Sequence, residues 1–305
     1  MGEQTTIEWT HHTFNPWIGC TKVHTGCKGC YAEAQNAHRK WNGGEWGAGA
    51  QRKVTSNANW KKPVAWARAA AQGGERRRVF CASLADVLDE EAPADAQARL
   101  WDLIRETAAC TFVRNDDGRE VLARILEPKR VTGAPGLDWL LLTKRPERWR
   151  LIPEDVRPLV WFGTSISDQP TADEWGRRVA NAECFRLRFL SVEPMVGPIV
   201  LRDEVLQAVQ WVICGGESGA GARQYNLAWP RSIIAQCRAA GVPVFHKQVG
   251  AVAIGETESD HRHPHNHGRF FSDPLRLTLA DAKGGNPSEW PEDLRVPEFP
   301  KGLLR

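Results

Sequence analysis

The stretch C-T-K-V-H-T-G-C-K-G-C-Y, residues 20–31, sets Cys20, Cys27 and Cys30 within eleven positions of a chain that holds eight cysteines. Three chemistries use thiols gathered this closely: a disulfide knot, a structural zinc site and an iron–sulfur cluster. Zinc wants four ligands in a closed tetrahedron, and His24, or His11 or His12 just upstream, could supply the fourth. A second C-x2-C pair, which would mark a zinc site strongly, does not occur. A [4Fe–4S] cluster on three cysteines instead leaves one iron open to a substrate or cofactor. Spacing alone leaves zinc and cluster both standing. Cys81, Cys110, Cys184, Cys214 and Cys237 are single, within apolar or helical stretches, and read as buried, inert thiols.

The elements that must position this loop come from six apolar runs, at 78–87, 138–147, 159–168, 187–197, 210–219 and 242–250. Continuous rather than alternating apolar character suits strands covered on both faces, as in parallel sheets. Helical stretches fall between them at 93–110, 172–183 and 228–240, the last stopped by Gly241 and Pro243. Strand–helix alternation predicts an α/β fold, either a barrel or an open sheet. Each run exits into polar or glycine residues: Ser83 and Asp86, then Thr143, Lys144 and Arg145, then Thr164 and Ser165, Glu193, Gly215 to Ser218 with Glu217 among them, and Lys247 and Gln248. In such folds the site lies at the carboxyl ends of the strands.

Composition excludes several classes. The 305 residues are 42% hydrophobic and 25% charged, ordinary for a globular protein, and no run approaches the ~18 apolar residues of a membrane span. The N-terminus lacks the basic start and apolar core of a secretory signal, so a reducing cytoplasmic location is expected, where clustered cysteines bind metal more often than they pair. Net charge is only +3, but basic residues bunch at Arg76, Arg77 and Arg78, across 144–150, and at Arg186 and Arg188. With fourteen tryptophans, these tracts make contact with nucleic acid a reading to test. Residues 111–136 read as an insertion. The tail 251–305 carries His261, His263, His265 and His267 at alternate positions, a pattern read as a solvated loop.

The motifs "TTIEWTHHTFNPWIGCTKVHTGCKGCYAE" (5–33), "CASLADVLD" (81–89), "LLLTKRPERW" (140–149), "WFGTSISDQ" (161–169), "FLSVEPMVGPI" (189–199), "VICGGESGAGAR" (212–223) and "VFHKQVG" (244–250) fall in order. Together they resemble the phage Gp37/Gp68 family, a family of unknown function (DUF5131) whose members look like radical S-adenosylmethionine (SAM) proteins. The resemblance implies a partial TIM-type (β/α)6 barrel over residues 1–250, with 251–305 as an extension packed on the barrel or partly flexible. It implies that Cys20, Cys27 and Cys30 ligate a [4Fe–4S] cluster, that SAM is the second cofactor, and that flavodoxin or ferredoxin supplies electrons.

The Gly-Gly-Glu run that often receives SAM at the second strand is absent, and Ser83 and Asp86 stand in its place. On this reading Lys144 or Arg145 pairs with the SAM carboxylate, and Thr164, Ser165 and Glu193 suit its ribose. Glu217, Lys247 and Gln248 face substrate. A nucleic acid or modified nucleobase is the leading substrate, with Arg76, Arg77 and Arg78 as phosphate contacts. The competing reading is a non-enzymatic nucleic-acid-binding protein stapled by a Cys3His zinc.

Overall fold

A computed structural model describes residue 5 and residues 7–108, 111–114, 120–123, 136–255 and 275–300. All six apolar runs are strands, and a short seventh precedes them: β1 (His12–Thr13), β2 (Arg77–Cys81), β3 (Leu137–Thr143), β4 (Val160–Ser165), β5 (Leu187–Val192), β6 (Trp211–Gly215) and β7 (Val244–Gln248). They form one sheet in chain order, every pairing parallel, with β1 and β7 at its two edges. The sheet is a half-barrel of seven strands, where six were expected.

Its curvature can be read from side chains. Strands stand ~4.8 Å apart, so a flat sheet would hold β1 and β6 about 24 Å apart. Yet the ring of Trp9, just ahead of β1, lies 6.2 Å from Trp211 on β6. The sheet therefore curls around a concave apolar cluster: Trp9, Phe80, Leu140, Trp161, Leu187, Phe189, Trp211, Ile213 and Phe245. Alternate residues, such as Trp139, Leu141, Phe162, Leu190 and Val212, point to the convex face and the helices. Within the concave layer Gly163 makes room for Phe189, because a Cβ there would stand 2.5 Å from the ring.

The helices are α1 (Tyr31–Arg39) and α2 (Asn57–Gly73) between β1 and β2, and α3 (Ala94–Ala108) before β3. Between β4 and β5 the stretches Gln169–Thr171, Ala172–Gly176 and Arg177–Ala180 run end to end as α4. Next come α5 (Asp203–Ala208) and α6 (Ala228–Ala240). Helices α3, α4 and α6 meet the expected stretches; α1, α2 and α5 were not foreseen. Within the expected insertion, Thr111–Arg114 and Glu120–Ala123 pair antiparallel. The tail histidines lie outside the described residues.

Two smaller pairings serve the site. Trp17–Ile18 pairs antiparallel with Lys53–Val54, which carries Arg52 in behind residues 19–21. At the far edge, residues 290–298 pack along β7: the amide of His246 donates to Val296 O and that of Glu298 to Val244 O.

Candidate functional site at the cysteine loop

Cys20 leaves the sheet at its carboxyl end, where Gly19 donates its amide to Leu84 O. Two buried arginines hold the residue that follows. Arg145 donates through Nη2 to Thr21 O at 3.0 Å, and Arg52 through Nη2 to Thr21 Oγ1 at 2.7 Å. Asp89 bridges the pair, 2.8 Å from Arg52 Nε and 3.1 Å from Arg145 Nη2. Asp86 lies 3.2 Å from Arg145 Nη1 and also accepts from Thr143 Oγ1 and the amides of Leu88 and Lys144. Each buried charge thus has an opposite partner, the condition under which burial is tolerated. The same guanidinium stands 3.8 Å from Cys20 Sγ. Burial, with Asp86 adding to it, pushes the Cys20 thiol up to about 12 against the pull of Arg145.

The rest of the loop is docked on two other strand ends. His24 caps the turn Thr25–Cys27, its Nδ1 accepting from the Gly26 amide at 2.9 Å, while its ring meets Trp175 edge-on. Burial, with nearby Lys144 adding to it, lowers the His24 pKa to about 4. Thr25 Oγ1 donates to Asp168 Oδ2 at 2.7 Å, and Arg223 Nη1 donates to Thr25 O at 3.0 Å. Arg223 is in turn gripped by both carboxylate oxygens of Glu217, each at 2.8 Å. Burial works against the Glu217 charge, but these bonds hold its pKa below the usual value. A Cβ at Gly26 would stand 2.2 Å from Ser167 Oγ, and one at Gly29 would stand 2.3 Å from Glu217 Oε1. Both glycines are therefore contact points of the loop with the sheet.

Cys20, Cys27 and Cys30 are free thiols. Tetrahedral zinc, with Zn–S near 2.3 Å, would draw its thiolates to within ~3.8 Å of one another. Among the described residues no three His, Cys, Asp or Glu side chains form a group that could hold a metal ion, and His24 is engaged as a cap. Only its Nδ1 is so engaged; the buried Nε2 has no hydrogen-bond partner among the described residues. By donor chemistry, three unpaired thiols on one loop with a guanidinium beside one of them suit a cluster, in which each thiolate serves a different iron, at the sheet end where such folds place their sites.

Beside the loop, alternation along the strands brings a polar rim onto the concave face above the aromatic floor. Lys144 Nζ lies 3.2 Å from Ser165 Oγ, Lys247 Nζ lies 2.7 Å from Glu193 Oε2, and Ser191 Oγ lies 3.4 Å from Glu193 Oε1. Gly215 leaves the carboxylate its room, since a Cβ there would stand 3.3 Å from Glu193 Oε2. Two cations, a carboxylate and two hydroxyls can together hold a ligand that carries a carboxylate and hydroxyl groups.

Of the expected site residues, Lys144, Ser165, Glu193 and Lys247 come together on this rim. Others have different duties. Thr164 points to the convex side and donates to Thr143 O, fully buried. Asp86 and Arg145 are buried and brace the cysteine loop. Ser83 accepts from Asn15 Nδ2 through its hydroxyl and from Tyr31 OH through its carbonyl. Gln248 donates to Gly216 O, and Glu217 is bound to Arg223. Arg76, Arg77 and Arg78 stand at the amino end of β2, the wrong end for a substrate at the cysteine loop. Arg76 pairs there with buried Asp138, and Arg78 donates to Trp9 O beneath the Phe299 ring. Cys184 is exposed, against the expectation of burial, while Cys81, Cys214 and Cys237 are buried; Cys110 lies outside the described residues.

Sequence reasoning did not reach Arg52, Asp89, Asp168, Ser191 or Arg223. Ser191 carried a signal, lying two residues before Glu193 in a strand and hence on the same face. The others act across long chain separations and carried none.

A family described as a protein of unknown function (DUF5131) matches residues 4–128 and 118–275. No curated protein matches. Solved structures similar to this chain include a spore photoproduct lyase variant with bound AdoMet and dinucleoside spore photoproduct, at 12% identity and TM-score 0.40, covering 67% of this chain and 55% of that one. A spore photoproduct lyase complexed with dinucleoside spore photoproduct matches at 12% identity and TM-score 0.38, covering 72% and 58%. The chain thus spans little more than half the length of these proteins.

Proposed function

The chain belongs to the DUF5131 family, and from that premise we propose that it is a radical SAM enzyme acting on a nucleic acid or a modified nucleobase. The observation that carries this reading is the placement of three free thiols on one loop at the carboxyl-terminal mouth of a parallel half-barrel. Cys20, Cys27 and Cys30 would hold the cluster. A cluster bound there would supply the electron for reductive cleavage of SAM, the chemistry by which that class abstracts hydrogen from a substrate.

The chain's own residues bind, orient and exclude water. Lys144 would take the SAM carboxylate, and Ser165, Ser191 and Glu193 would serve its amine and ribose. Lys247 orients Glu193 through their 2.7 Å contact. The aromatic floor of Trp161, Phe189 and Trp211 closes the concave face to water from below. Arg145 and Arg52 keep Cys20 in place while a ligand enters or leaves. An electron carrier of the flavodoxin or ferredoxin kind in a reducing cytoplasm completes the reading.

Anaerobic purification tests it. Brown protein with about four irons and four sulfides per chain is expected. Reduction in the presence of SAM should release 5′-deoxyadenosine, and Cys27→Ala should abolish that release. A colourless protein carrying a single zinc would overturn the reading.

A further inference from the structure

Among the described residues the large apolar side chains that stand exposed are Val23, Tyr31, Val54, Leu151 and Val200, and Tyr31 is the aromatic one in that set. Half of its surface, 49%, is open. The ring is nevertheless fixed, because its hydroxyl donates to Ser83 O at 2.6 Å. Tyr31 is the first residue of α1, directly after Cys30, and its hydroxyl reaches the loop that follows β2 at Ser83. The half-open ring thus stands beside the cysteine loop, over the exit of β2.

A ring already held in place loses little rotamer freedom when something stacks on it. Lys28 stands exposed on the same loop directly after the turn Thr25–Cys27, and Lys22, exposed before that turn, pairs with Glu33 at 2.6 Å. A flat aromatic face with lysines nearby is the combination that single-stranded nucleic acid uses: the base stacks, and the phosphate meets the cation. We propose that Tyr31 is a stacking platform for a nucleobase of the substrate at the mouth of the site. The assignment rests on the nucleic-acid reading above and extends it to a named residue.

The test uses anaerobically prepared full-length holoprotein and a short single-stranded oligodeoxynucleotide carrying 2-aminopurine, whose fluorescence falls when the base stacks. A parallel titration measures SAM affinity. Wild type should bind the oligonucleotide with quenching, and Tyr31→Phe, which keeps the ring, should retain the quench. Tyr31→Leu should bind about tenfold more weakly and lose the quench, with iron content and SAM affinity unchanged. Equal affinity and quenching in Tyr31→Leu would overturn the proposal, as would a wild type that shows no quench. A loss confined to SAM affinity would also overturn it, by assigning the ring to the adenine of SAM. The radical reading fails separately: iron-free protein with a Tyr31-dependent quench would refute that reading and leave the platform standing.

Discussion

Arg145 touches four groups that meet nowhere else in the chain: the Cys20 sulfur, the Thr21 carbonyl, Asp86 and Asp89. Its side chain is 4% exposed, so removing its charge would strand a buried carboxylate, a change that typically costs 3–5 kcal/mol. Arg145→Met is therefore expected to lower the urea unfolding free energy by roughly that amount. On the proposed cluster reading it should also reduce iron retention. Arg145→Lys should fall between, since an ammonium cannot serve both aspartates in the planar geometry. A Met variant as stable as wild type would show that the pairing is not what holds Cys20. The residue itself was legible in the sequence; its role was not. A strand-end arginine looks the same whether it faces a ligand or a pair of aspartates, and Asp89 and Arg52 lie far from it in the chain.

At the scale of elements, the six long strands were legible because buried parallel strands read as unbroken apolar runs. Strand β1 was not, being two residues long. Helix α2 was missed because Pro63 sits in its interior and reads as a break. The face on which each exit residue falls was also missed. Thr164 and Ser165 are neighbours on β4, and one step along a strand reverses the face. The packing of one such face gives a prediction: Gly163→Ala should destabilise the protein by about 1–3 kcal/mol, because Phe189 occupies the space a methyl group needs. Denaturant midpoints would check it, and Gly163→Ala with an unchanged midpoint would refute the packing. Arg223→Ala tests the loop after β6 differently. Its ion pair with Glu217 is partly exposed and contributes ~1 kcal/mol or less to stability. On the proposed cluster reading, loss of its bond to Thr25 O should nevertheless speed the release of iron to a chelator. Unchanged release kinetics would mean that the latch does not steady the cysteines.

At the scale of the whole molecule, the two ends of the described chain meet the sheet at opposite edges, and His246 secures the later one. Its Nδ1 faces Leu294 O at 2.8 Å, an acceptor only, so that nitrogen carries the proton and Nε2 accepts from Tyr225 OH at 3.2 Å. Burial lowers the His246 pKa to about 4. Because the folded value lies below the unfolded one, near 6.5, this group's contribution is complete above pH 6.5 and lost as pH falls toward 4. A loss of about 2 kcal/mol between pH 6.5 and 5 is expected from it. His246→Gln should flatten that slope in denaturant titrations of the apoprotein. An identical slope would mean that the imidazole titrates normally.

The segment His246 holds also forms a β-bridge between Pro297 and Phe245, lying antiparallel against the edge of β7. An exposed parallel edge is a template for another chain, and here the protein's own polypeptide occupies it with a proline at the bridge. Protein cut short before residue 290 should therefore fail through self-association rather than simple unfolding, sedimenting as oligomers joined edge to edge.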